Sequence, residues 1–177
     1  MRPALLAVIA LLLLAASAAP AHLSDHDRRT IADLAQRYLQ HRADKVTNVQ
    51  QTAGFGIPTT GALTAQLRTD EIKLEARRQR ISALPFGGYS HAETSTDLKR
   101  VHLTEDGSVV AHVRELTALY FEESATIDNT SFSMTHVLIF ARTATGTGWA
   151  LATATFPPGS KCGIPPETQF CGHMSDR

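Results

Sequence analysis

Residues 101–121 read VHLTEDGSVVAHVRELTALYF, and this stretch decides the fold class. Asp106-Gly107 lies between two runs rich in Val, Leu and alternating polar residues. Asp-Gly in that setting signals a β-hairpin, because both residues tolerate positive φ. Strands are therefore expected over residues 91–103 and 108–121. A two-residue turn pairs Glu105 with Ser108, places His102 opposite Ala111 and His112 opposite Val101, and puts the two histidines on different faces. Val109, Ala111, Val113 and Glu115 alternate onto one side of the second strand.

Working towards the C-terminus, residues 132–142 and 149–156 flank a turn with Gly146 and Gly148. In the third strand Phe132, Met134, Leu138 and Phe140 share one face, and His136 points the same way. Trp149 and Leu151 are expected to pack nearby. Pro157-Pro158-Gly159 ends the last strand, since proline cannot donate to a ladder.

Working towards the N-terminus, the period changes from two to 3.6. Residues 24–42 read as a helix, with Ser24 and Asp27 resembling a capping box. Ile31, Leu34, Ala35, Tyr38 and Leu39 form its apolar face. Asp25 and Asp27 at its start, and His41 and Arg42 at its end, suit the helix dipole. Residues 46–60, with Gly54, Gly56 and Pro58, read as a loop. A second helix is expected over residues 62–81, with the stripe Leu63, Leu67, Leu74 and Ile81. On its polar side Asp70 with Lys73, and Glu75 with Arg78, stand three apart and can pair. Arg77, Arg78 and Arg80 read as an anion site or, more simply, as a solvated helix end that complements the dipole. Neither helix can bury its stripe alone. Both on one face of a curved antiparallel sheet of about four strands make a two-layer α+β domain.

Residues 1–21 carry an export signal: a charged Met1-Arg2 start, an apolar run from Ala4 to Ala16, and Ala19-Pro20-Ala21 fitting the A-x-A cleavage pattern. The run is shorter than the roughly 20 residues a membrane span requires. A mature chain beginning between Ala19 and His22 is secreted, without a membrane span. The domain then covers residues 22–156, and residues 157–177 form an irregular tail.

The chain has 17 basic and 17 acidic side chains, a formal net charge of zero. That balance provides no general attraction to nucleic acid. Its two cysteines, Cys162 and Cys171, lie in the tail. The pair reads as a disulfide or as reactive or metal-binding thiols. Export favours the disulfide, and the spacing is not C-x-x-C.

Motifs with a defined mechanism, such as G-x-S-x-G, H-E-x-x-H or a P-loop, do not occur. No catalytic residue, metal ligand set or cofactor is therefore assigned. His22 and His26 near the new terminus supply nitrogen donors of a kind that suits copper, against the ordinary reading of a frayed terminus. Asn129-Thr130-Ser131 matches a glycosylation acceptor in a loop. The polar candidates for a pocket are His136, Tyr38 and Glu115, with Asp33 on the solvent side. An inward His136 reads first as a hydrogen-bonded core residue. Glu115 is either a carboxylate with a raised pKa in an apolar pocket or, more simply, a cross-strand partner of Arg100.

The order of elements resembles the NTF2-like, cone-shaped α+β superfamily. More narrowly, it is similar to the helical-then-strand region of secreted actinobacterial proteins, often found ahead of an amidase-like domain. The likeness is carried by Leu34-Ala35-Gln36-Arg37-Tyr38-Leu39, Glu75-Ala76-Arg77-Arg78, the strand from Val109 to Tyr120, and Gly148-Trp149-Ala150-Leu151. An amidase-like domain is not expected after residue 156. The resemblance implies a cone that serves as an enzyme pocket, a ligand pocket or a homodimer surface, and fold alone does not choose among them. The expected function is a secreted, non-catalytic binding or structural module with a protein or cell-envelope partner. The alternative is a cone-pocket protein that binds or isomerises a small apolar molecule.

Overall fold

The computed structural model describes residues 22–50, 52–124 and 126–157. The expected export signal and the Cys162–Cys171 pair lie outside the described residues. Two helices, α1 (Asp25–Asp44) and α2 (Gly61–Ser82), precede β1 (Tyr89–Leu103), β2 (Val109–Phe121), β3 (Asn129–Arg142) and β4 (Trp149–Thr155). The strands form one open antiparallel sheet in the order β1-β2-β3-β4. The described residues thus form an α+β domain, with two helices and a four-stranded sheet.

Ser24 caps α1: its Oγ accepts the Asp27 N–H at 3.0 Å. The Asp27 carboxylate then turns to the sheet, where it accepts from Trp149 Nε1 at 2.7 Å and from Arg142. One residue thereby ties the start of α1 to the turn end of β3 and β4. The buried face of α1 runs Ile31, Leu34, Ala35, Tyr38, Leu39, Arg42 and Ala43. It packs on Val109, Ala111, Val113 and Leu119 of β2 and on Leu138 and Phe140 of β3, all fully buried. Helix α2 buries Leu63, Leu67 and Leu74, with Ile81 partly covered.

The hairpin joining β1 to β2 corrects the expected register. Thr104 N donates to Ser108 O, and Gly107 N donates to Thr104 O. The loop therefore has three residues, with Gly107 at φ +79°, an arrangement in which a turn is followed by a left-handed glycine. The ladder shifts by one: His102 faces Val110, and Arg100 faces His112. Both histidines stand on the outer face rather than on opposite faces. A second shift between Leu98 and Arg100 brings Thr96, not Leu98, opposite Glu115. Strand β3 begins three residues earlier than expected, so Asn129-Thr130-Ser131 opens a strand paired with Tyr120, Leu119 and Ala118.

Each edge strand is bridged over part of its length, which removes some of the unpaired backbone that would otherwise recruit another strand. At β4, Thr60 N donates to Leu151 O and Leu151 N donates to Pro58 O. At β1, Gln36 and Gln40 of α1 reach the strand's backbone.

Candidate functional site

The period of α1 carries Arg42 onto its buried face, eleven residues after Ile31. The period of β2 carries Glu115 to the same level from the sheet, and that of β3 brings His136 beside it. Exposure of the three is 5 %, 0 % and 2 %. Arg42 Nη2 donates to Glu115 Oε2 at 2.7 Å, and His136 Nε2 lies 2.6 Å from the same oxygen. The other oxygen, Oε1, accepts from Thr117 Oγ1 at 2.7 Å, and Thr117 Oγ1 lies 2.9 Å from Thr94 Oγ1. With Thr117 donating to the carboxylate, Thr94 is the donor to Thr117. Arg42 Nη2 is also 3.5 Å from His136 Nε2. Both nitrogens are donors in the arrangement below, so that approach is a contact and not a hydrogen bond.

Protonation follows from these neighbours. Burial by itself would raise the Glu115 pKa, but the Arg42 charge, the His136 hydrogen bond and the Thr117 hydroxyl outweigh it, and the pKa falls to about 2. Glu115 is therefore an anion, an acceptor only. Burial, together with the charge of Arg42, lowers the His136 pKa against the opposing pull of Glu115. His136 is neutral at neutral pH, with its proton on Nε2 facing Glu115 and Nδ1 left as an acceptor. One cation and one anion neutralise each other inside the protein, and both carboxylate oxygens accept hydrogen bonds.

Tyr38, one turn before Arg42, is 4 % exposed and lies beneath the guanidinium, 5.7 Å from its ring centroid. Burial raises its pKa. The Phe55 ring from the 46–60 loop is 5.7 Å away on the same side, and the Phe156 ring is 5.3 Å from His136. Tyr38, Arg42, His136 and Asp70 line one cavity of about 50 Å³, flanked by Phe55, Leu67 and Phe156. That space is enough for a few water molecules.

The structure brings the three expected residues, Tyr38, Glu115 and His136, to the Arg42 guanidinium, with Tyr38 and His136 lining the cavity and Glu115 outside its lining. It overturns the Arg100 pairing of Glu115. Arg100 faces His112 on the outer surface, and the partner of Glu115 is Arg42. Asp33 is exposed and pairs with Arg37 at 2.9 Å. Asp70 belongs to the cavity wall and accepts from Gln66 at 3.0 Å. Sequence reading missed Arg42, whose position in the 31-35-38-39-42 series was the available signal. Among the described residues, no group of three or more His, Cys, Asp and Glu is placed to hold a metal. Among them too, no helix is long and apolar enough to cross a membrane.

No family model matches the chain, and no curated protein matches it. Among solved structures, a periplasmic fragment of TraM is similar at 12 % identity and a TM-score of 0.41. The match covers 72 % of this chain and 95 % of that one, a likeness too slight for inference about fold family or activity.

Proposed function

We propose that this chain is an exported, non-catalytic binding or structural module of the NTF2-like kind. In this reading residues 1–21 are removed, and Cys162 and Cys171 close the tail. A protein or cell-envelope partner meets its surface. The observation that carries it is the pairing of Arg42, Glu115 and His136. A general base must be within reach of a substrate proton, whereas Glu115 has its charge neutralised by Arg42 and its oxygens occupied by three donors. Such an arrangement fixes α1 on the sheet.

The test is His136→Ala and Glu115→Gln in the exported protein, followed for stability and for conversion of candidate substrates. Both should lose stability, with no turnover to lose. Conversion that disappears in a variant that stays folded would reject the proposal. Intact mass of the secreted chain, with thiol labelling before and after reduction, tests the processing and the disulfide.

A second reading is favoured by one specific feature. Tyr38, Arg42, Asp70 and His136 all border the same cavity. In this reading the interior binds a small apolar molecule, with these groups as its polar end.

A further inference from the structure

A groove of about 350 Å³ lies outside the cavity, between the loop at Ala53–Thr59 and the first turns of α2. Phe55 and Leu67 border both spaces. They are the shared wall: their outer sides face the groove and their inner sides face Tyr38 and His136. Taken alone, the inner space is too small for more than water, whereas the groove falls within the range of small-molecule sites.

The two spaces differ in chemistry. Ala53, Phe55, Ile57 and Leu67 give the groove an apolar lining, with Arg68 and Glu71 as its charged members. The inner end is lined by a carboxylate, a phenol and a neutral imidazole, from Asp70, Tyr38 and His136. Arg42, the cation there, is turned to Glu115. A carboxylate beside a neutral imidazole, with the neighbouring cation already paired, favours a ligand that brings a donor.

The loop that carries Phe55 is fastened on either side of it. Lys45 Nζ bonds Thr52 O and reaches Glu71 Oε1 at 2.5 Å, and Gly54 N donates to the same Glu71 oxygen at 3.1 Å. Beyond Phe55, Pro58 and Thr60 are bonded to β4. With the backbone anchored on both sides, the wall can open only through the Phe55 and Leu67 side chains.

We propose that groove and cavity are two chambers of one binding site, parted by the Phe55 and Leu67 side chains, for a small apolar molecule bearing a single hydroxyl. The apolar body occupies the groove. The hydroxyl passes the wall and donates to the acceptors at Asp70 and His136, displacing water. This rests on the second reading above, that the interior takes a small apolar molecule.

The probes are 1-naphthol and 1-methoxynaphthalene, which share an aromatic body but differ in the donor. Binding to the exported protein is followed by probe fluorescence, at equilibrium and by stopped flow. The expected result is 1-naphthol tighter by about tenfold, the effect of one hydrogen bond to a charged acceptor. Asp70→Asn should reduce that preference to roughly threefold or less, and Phe55→Ala should raise the association rate by about tenfold or more. Asp70 is partly exposed, so its variant keeps the test open should Phe55→Ala fail to fold. Equal affinity for the two probes, a preference untouched by Asp70→Asn, or a rate untouched by a folded Phe55→Ala overturns the two-chamber site and leaves the simpler pocket reading standing. Binding of neither probe up to its solubility limit overturns both.

Discussion

Glu115 and His136 are diagonal neighbours on adjacent strands, with Nε2 of the imidazole 2.6 Å from Oε2 of the carboxylate. The contact is made on the inner face of the sheet, where neither side chain meets solvent. Its existence depends on a third group from the other layer, because an anion in that position without Arg42 would carry a large desolvation cost.

Removing Arg42 should therefore be more harmful than removing the whole set. Arg42→Met leaves a buried carboxylate uncompensated, and about 3–5 kcal/mol of stability should be lost. In Arg42→Met/Glu115→Leu/His136→Phe the polar groups are gone together and the volume is retained, so the loss should be smaller than in the single variant. Urea unfolding followed by circular dichroism compares them. A triple variant weaker than Arg42→Met would show that packing around the set, and not its charge balance, dominates.

Stability should fall with acid in two stages. The His136 pKa is lowered in the folded state, so below its ordinary 6.5 the unfolded chain takes up the proton first and stability declines. Glu115 has its folded pKa near 2 against an ordinary 4.5. Its contribution is fully present above 4.5 and is lost as pH falls from there towards 2. Asp27, lowered mainly by its Trp149 hydrogen bond, acts in the same sense. Asp44, raised by burial, acts in the opposite sense. Thermal melts from pH 8 to pH 3 should show the decline, and His136→Phe should flatten its upper stage, between pH 7 and 5. An unchanged upper stage in that variant would assign it to other histidines.

Gly56 fastens the 46–60 loop over α1. Its φ is +69°, and a Cβ at this position would come within 2.3 Å of the His41 ring. Gly56→Ala should cost about 1–3 kcal/mol from backbone strain and the clash combined. In His41→Ala/Gly56→Ala the steric part is relieved and only strain remains, so the two substitutions should be less than additive. Additive losses in thermal unfolding would mean that the loop shifts away from His41 without cost.

Periodicity made the layers legible before any coordinates. The 3.6-residue repeat of α1 and the alternation of β2 identified the buried faces, including the inward positions of Glu115 and His136. The site's third member was hidden by residue type. Arg42 satisfies the same repeat as Leu39, but an arginine in the last turn also suits the helix dipole, and that local explanation masked the tertiary one. The register failed for a different reason. Asp-Gly is compatible with two- and three-residue loops, and the strand irregularity at Lys99 is set by pairing along the ladder, with no local marker. Together these moved Arg100 away from Glu115 and put His102 and His112 on one face.

The edge of β1 shows how much of the fold rests on uncharged side chains that carried no sequence signal. Gln40 accepts from Thr94 N at 2.9 Å through Oε1, and its Nε2 donates to Ala92 O at 2.9 Å and to Asp44 Oδ1 at 2.8 Å. Gln36 donates to Thr94 O at 2.6 Å and accepts from Thr96 Oγ1 at 2.8 Å. One turn apart on α1, the two amides imitate a neighbouring strand for residues 92–96. Gln36→Ala/Gln40→Ala should cost about 2–3 kcal/mol, roughly 1 kcal/mol for each backbone bond lost. Because the exposed strand can then pair with another copy, the double variant should also self-associate as its concentration rises. Gln40→Glu separates the two roles, since a carboxylate keeps the acceptor for Thr94 N–H but loses the donor to Ala92 O. Amide exchange at Thr94 should therefore speed up strongly in the double variant and much less in Gln40→Glu, with light scattering reporting association. Thr94 protection that survives the double variant would show that the strand edge is held by packing against α1, and not by the glutamines.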